Sequence, residues 1–161
     1  MAVGGKSITV LGAGIGGLTV AIALARRGAR VTVLDQAPEL AEVGAGLQIT
    51  PNATAVFEAL DLGRRVAKAG TELEAVQLHD YRGGDPVLRL DMQSAARAGN
   101  TPYLLMHRVD LIELLAASCK RHGVTILFGK SVTGVAIGFD QATLPIENGP
   151  QRTTKILIGA D

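Results

Sequence analysis

Apolar positions fall into two regimes along this chain. Ser7-Ile8-Thr9-Val10-Leu11 is an apolar run of strand length, and it leads straight into Gly12-Ala13-Gly14-Ile15-Gly16-Gly17. From Ile15 to Arg27 the spacing becomes helical: Ile15, Leu18 and Ile22 share one face, Ala21 and Ala23 are small neighbours, and Gly28 is a stop. Arg30-Val31-Thr32-Val33-Leu34 predicts a second strand ending at Asp35. Gln36 to Leu40 predicts a loop, and Val43 to Ile49 threads an apolar run through Gly44 and Gly46. Thr50-Pro51-Asn52 predicts a helix entry, with Thr50 or Asn52 as cap and the helix running to Leu60. A short helix is expected from Arg64 to Ala69 after Gly63.

The second half predicts a hairpin first. Leu73 to Tyr81 and Val87 to Met92 read as strands around an Arg82-Gly83-Gly84-Asp85-Pro86 turn, with Leu88, Leu90 and Met92 alternating against Arg89 and Asp91. Gln93 to Thr101 is polar and reads as a loop. Asp110 to Arg121 is a marked helix, with Leu111, Leu114, Leu115, Ser118 and Cys119 on one face and Gly123 beyond its end. Val124 to Phe128, Val132 to Gly138, Ala142 to Ile146 and Lys155 to Ile158 read as strands, and the chain closes on Gly159-Ala160-Asp161. The order implies an α/β fold: a Rossmann-like domain with a mostly parallel sheet, a β-meander and an extra hairpin.

Composition narrows the class. At 161 residues, 47% apolar and 19% charged, the chain suits one globular domain. A net charge of +1 with interspersed signs gives no basis for nucleic-acid or acidic-lipid binding. Aromatic residues make up only 3%, so stacking does not dominate any site. The single cysteine, Cys119, forms no internal disulfide and reads as a small core residue in a cytoplasmic protein. The uncharged run from Ile8 to Ala25 divides into strand, glycine turn and helix, so it is not read as a membrane span.

The chemistry lies in the glycines. Strand, Gly12-x-Gly14-x-x-Gly17, helix and a terminal acid on the next strand form a dinucleotide-binding pattern. Gly12 permits the sharp exit from the strand, Gly14 lets a diphosphate approach the backbone, and Gly17 lets helix and strand close. The helix start offers unpaired N–H groups and the positive end of its dipole. Asp35, about 20 residues after the glycines, can accept from ribose hydroxyls and disfavours a 2′-phosphate, which points to FAD or NAD rather than NADP.

Four motifs together resemble the N-terminal part of class A FAD-dependent monooxygenases, the salicylate hydroxylase and para-hydroxybenzoate hydroxylase group. They are the glycines with Asp35; Gly44-Ala45-Gly46-Leu47-Gln48-Ile49-Thr50-Pro51-Asn52-Ala53; Met106-His107-Arg108-Val109-Asp110-Leu111; and Leu157-Ile158-Gly159-Ala160-Asp161. The resemblance implies FAD as cofactor and NAD(P)H as reductant. It places Gly12, Gly14, Ile15, Gly16 and Gly17 on the pyrophosphate, Asp35 on the adenosine ribose and Gln36 beside it. It sets Gly46, Leu47 and Gln48 along the flavin ring and makes Arg108 the flavin-contacting arginine. Val132 falls near the adenine, and Asp161 becomes the aspartate of an Asp-Gly motif. It implies no catalytic side chain and no metal in this stretch.

The implied activity is hydroxylation of a small aromatic substrate. The family's chains are longer, so residues 1–161 are expected to be an FAD-binding domain that is inactive alone, with hairpin 72–92 belonging to an otherwise absent substrate domain. Such a hairpin would favour self-association. An NAD-dependent oxidoreductase domain and a non-catalytic FAD- or ADP-binding stub are the alternatives. A flavin disulfide reductase is disfavoured, since no Cys follows Asp35 until Cys119.

Overall fold

The computed structural model describes residues 3–40, 45–99 and 101–161. In chain order the elements are β1 (Ser7–Leu11), α1 (Ile15–Ala25), β2 (Arg30–Leu34), β3 (Gly46–Ile49), α2 (Pro51–Ala59), α3 (Gly63–Ala69), β4 (Thr71–Glu72), β5 (Ala75–His79), β6 (Pro86–Asp91), α4 (Met92–Gly99), β7 (Leu104–His107), α5 (Arg108–Arg121), β8 (Thr125–Leu127), β9 (Ala136–Ile137), β10 (Ala142–Leu144), β11 (Arg152–Thr154) and β12 (Leu157–Gly159). Where composition suggests one domain, the chain forms two compact units, Met1–Val43 with Ile112–Asp161, and Gly44–Leu111.

The first unit is built on a four-stranded parallel sheet in the order β12-β1-β2-β8. A parallel sheet covered on both faces needs apolar residues at successive positions, which is why β1 and β2 alternate poorly. Ile8, Thr9 and Val10 are all buried, as are Val31, Val33 and Leu34. Helix α1 makes the crossover from β1 to β2 and buries Gly17, Leu18, Ala21 and Ile22. It ends two residues short of the Arg27 boundary read from sequence, because Gly28 takes φ +81° and turns the chain back; its N–H donates to Ala25 O and that of Ala29 to Leu24 O. Helix α5 lies against α1, with the Cys119 Sγ 3.6 Å from the Leu18 carbonyl. The connection from β8 to β12 is the antiparallel meander β11-β10-β9, as expected. Its third strand is β11, where the sequence shows only short, polar Arg152-Thr153-Thr154.

The second unit holds a three-stranded antiparallel sheet, β3-β7-β4, helices α2 and α3, and the β5–β6 hairpin. Pro51 opens α2 at its first position, where its missing N–H costs nothing, and Thr50 is the cap residue. The sheet was not foreseen. Strand β7 is four residues long, Leu104 and Met106 facing inward and Leu105 and His107 outward, too short for periodicity to mark beside a strong helix. The hairpin matches expectation with tighter limits: Val76 pairs Leu90 and Leu78 pairs Leu88.

One expectation is overturned. Residues 93–99 are not a loop, since α4 covers Met92–Gly99. Asp91 caps it: Oδ1 accepts from the Ser94 N–H at 3.0 Å and Oδ2 from the Ser94 hydroxyl at 2.7 Å. Asp at the cap, alanines within and Gly at the end were a readable helix signal that the polar character of the stretch concealed.

The bonds from the Ser94 side chain, then its backbone, hold the Asp91 carboxyl below its ordinary value of 3.8. With the folded-state value depressed, the cap is complete above the unfolded value and is lost as pH falls through the folded one. Asp91→Ala, or acidification below pH 3.8, is therefore expected to speed amide exchange over residues 92–99 while leaving α1 and α5 protected; unchanged exchange would contradict the capping role.

Candidate functional site

The turn after β1 is sterically closed on one side and open on the other. Gly12 has φ +96°, and a Cβ there would stand 2.6 Å from the Ala160 carbonyl oxygen and 2.9 Å from the Asp161 nitrogen. A Cβ on Gly17 would overlap the Gly12 carbonyl oxygen. The end of β12 is held against this corner by the Ala160 N–H donating to Leu11 O at 2.9 Å. Asp161, exposed, is thereby brought beside the glycine turn.

Gly14 and Gly16 behave differently. A Cβ on either would meet nothing within 4 Å. Gly14 sits in ordinary extended backbone, φ −71° and ψ −177°, as the N-cap of α1. Neither the fold nor the dihedral asks for glycine at that position, so the open space in front of it is the feature that does. No side chain caps α1 and no acid occupies its first turn, so the N–H groups of Ile15, Gly16 and Gly17 are left without helical acceptors. A helix start whose amides lack acceptors is what a diphosphate needs.

Asp35 stands at the end of β2 and reaches this turn directly. Its Oδ2 accepts the Ala13 N–H at 2.5 Å and its Oδ1 accepts the Ala37 N–H at 2.8 Å. The Asp35 carbonyl accepts from Lys130 N–H at 2.8 Å, and its N–H donates to Leu127 O, tying β2 to the loop after β8. A small cleft of about 50 Å³ opens beside Gly14 and Asp35, walled by Leu40, Ile112 and Phe128. Gln36 is exposed next to Asp35. Val132, half-buried, bridges to Ile146 on the same loop side as Lys130. Thus the glycines, Ile15, Asp35, Gln36, Val132 and Asp161 all belong to the first unit.

Gly46, Leu47, Gln48 and Arg108 form a second group, in the second unit. Strand β3 places Gly46 opposite His107, Leu47 opposite Met106 and Gln48 opposite Leu105. Arg108 follows at once as the first residue of α5, half-buried, its N–H donating to Ala45 O at 3.2 Å. Two motifs sixty residues apart in sequence are therefore one strand pair. Gly44, the first glycine of that segment, lies outside the described residues.

Sequence reasoning missed three members of the first group: the Ala13 amide, Ala37 and Phe128. The first two act through backbone atoms and leave no side-chain signal. A larger cavity, about 1110 Å³, holds none of the expected site residues. It is lined by residues at the opening ends of the parallel strands, among them Ser7, Arg30 and Thr125, whereas the glycine turn follows the closing end of β1. Ligands of doubly wound sheets sit beyond the carboxyl ends of the strands, so geometry favours the smaller cleft. Burial pushes the Cys119 thiol up to about 11, which removes it as a nucleophile at neutral pH. No group of metal-ligating side chains occurs among the described residues, and no described helix is long and apolar enough to cross a membrane.

Known proteins resemble this chain. The family model described as an FAD binding domain matches residues 6–161. A 3-hydroxybenzoate 6-hydroxylase of Polaromonas naphthalenivorans is 37% identical over 158 residues, covering 96% of this chain and 39% of its own length. A 3-amino-4-hydroxybenzoate 2-monooxygenase of Streptomyces platensis is 33% identical, with 96% and 39% covered. Klebsiella pneumoniae HpxO, solved with FAD and uric acid, superposes with a TM-score of 0.84 at 25% identity, covering 99% of this chain and 40% of its own. The chain thus spans about 39% of the length of the curated relatives it matches.

The four glycines are expected to separate on substitution by alanine. Gly12→Ala and Gly17→Ala should each cost about 2–4 kcal/mol of stability, from strain and overlap with backbone. Gly14→Ala and Gly16→Ala should each cost less than about 1 kcal/mol. Denaturant unfolding of the four variants checks this; equal losses at all four positions would contradict it.

Proposed function

This chain belongs to the FAD-binding domain family, and from that premise we propose that it is the adenosine-diphosphate-holding part of a flavoprotein monooxygenase acting on a small aromatic substrate. The single observation that carries the proposal is the open space at Gly14 before the uncapped start of α1, beside glycines that the fold itself requires. The relatives named for hydroxybenzoate and aminohydroxybenzoate chemistry support the aromatic class.

FAD, when bound, supplies the redox chemistry, with NAD(P)H as reductant and O₂ as co-substrate. The residues of this chain bind and orient. The amides of Ile15, Gly16 and Gly17 would receive the diphosphate at the positive end of the α1 dipole. Asp35 uses one acceptor site on each oxygen for backbone amides, and a carboxylate offers about four in all. The remaining sites would take the ribose hydroxyls. Arg108, a permanent planar cation at the β7–α5 junction, would hold the flavin end of the cofactor, with Gly46, Leu47 and Gln48 on the paired strand. Gln36, Val132 and Asp161 would complete the adenosine and diphosphate surroundings. A lone buried thiol suits a cytoplasmic location.

The hairpin would belong to the substrate-facing part of the longer protein. Cross-strand pairs place Val76, Leu78, Leu88 and Leu90 on one face, and Leu78, Leu88 and Leu90 are 53%, 44% and 49% exposed. Such a face in a chain standing alone would pair with a second copy.

Titration of the full-length protein, stripped of flavin, is expected to show binding of FAD and ADP, weakened at least about ten-fold by Gly14→Ala through lost close approach to phosphate. Absence of both FAD and ADP binding would end this reading. The 161-residue chain alone is expected to self-associate in light scattering, and Leu88→Ser with Leu90→Ser to restore a monomer. It is also expected to show no substrate-stimulated NADH oxidation; stimulated turnover would show that the chain is sufficient by itself.

A further inference from the structure

The N–H of Ala13 poses a problem that the diphosphate does not solve. Ala13 is 6% exposed, lies between β1 and α1, and has no place in either ladder. A buried backbone N–H needs an acceptor. Its acceptor is the Asp35 Oδ2 at 2.5 Å, across 22 positions of sequence. The other oxygen of the same carboxylate closes the Ala37 turn. Beside it, the Gly12 N–H donates to Leu34 O at 2.8 Å, so two successive amides of the glycine turn are held from β2, one by the backbone of its last residue and one by the side chain of the residue that follows it.

We propose that Asp35 is a positioning residue for the diphosphate: its carboxylate fixes the Gly12–Gly14 backbone, and so aims the outward amides of α1, before any ligand arrives. This rests on the proposed function and adds a second duty to the ribose contact. The N–H of Ala13 is committed to Asp35 and is not a phosphate donor. The phosphate-binding set therefore begins after it, at the start of α1.

Electrostatics alone predicts the opposite effect of neutralising this group. A carboxylate beside the turn repels a phosphate, so Asp35→Asn would tighten phosphate binding if charge were all that mattered. Positioning predicts weaker binding. The amide of Asn has one acceptor oxygen and an NH₂ group, so one of the two backbone N–H donors must face another donor. A ribose role predicts no change at all for a ligand without a ribose.

Inorganic pyrophosphate separates the three. Its affinity is measured by calorimetry on the full-length protein stripped of flavin, as wild type, Asp35→Asn and Asp35→Glu, with thermal unfolding and FAD titration alongside. The Asn variant is expected to bind pyrophosphate roughly five- to ten-fold more weakly, the size of one ordinary hydrogen bond. The Glu variant, keeping two acceptor oxygens and the charge, is expected to fall between it and wild type. In ligand-free protein the Ala13 amide is expected to exchange faster and shift upfield in the Asn variant. Equal or tighter pyrophosphate binding by Asp35→Asn, or an unmoved Ala13 amide, would overturn the proposal. Should the Asn variant fail to fold, an undiminished pyrophosphate affinity in Asp35→Glu together with an upfield-shifted, unprotected Ala13 amide would overturn it equally. Wild-type FAD binding with a failed Asn prediction would leave the proposed function standing.

Discussion

Everything at the candidate site depends on how closely three pieces of backbone approach one another. The exit of β1 at Gly12, the first turn of α1 at Gly17 and the end of β12 at Ala160 leave room for hydrogen atoms and nothing larger. That contact sets the direction in which α1 leaves the sheet. It also decides where the unpaired amides point, since the first turn of a helix cannot rotate independently of its axis. Interiors are packed densely enough that one methyl group in such a corner must displace backbone rather than side chain.

The same corner explains why two of the four glycines have no steric reason to be glycine. Gly14 and Gly16 face open space, with dihedrals other residues adopt. The division between glycines that the fold requires and glycines that it does not is the physical sign on which the proposed binding surface rests. Asp35 joins the two groups, because its carboxylate takes up the buried Ala13 amide, which belongs to neither ladder nor helix.

Membership of the FAD-binding domain family carries the fold and the cofactor class further than geometry alone could. The second unit has no dinucleotide signature of its own. Its interest lies in the pairing of β3 with β7, which makes neighbours of the Gly46-Leu47-Gln48 segment and the Arg108 helix start. The β5–β6 hairpin leaves Leu78, Leu88 and Leu90 exposed.

Much of this was legible in the residues alone. The strand–glycine–helix–strand–Asp35 order is local and strongly periodic, so the first two strands, α1, α5 and the glycine turn could be read without coordinates. So could the meander and the hairpin, through their turn residues. What stayed hidden was of two kinds. Helix α4 was masked by polar composition, although Asp91, Ser94 and the alanines marked it. Strands β4, β7 and β11 are two, four and three residues long, too short for any period to register.

Sequence by itself determined which amides are free, because the absence of a Cβ or a capping side chain is written residue by residue. Only the tertiary structure decided which amide Asp35 takes and which motif pairs with which. Those outcomes depend on backbone atoms brought together across 22 or more positions, and a backbone N–H is the same at every residue.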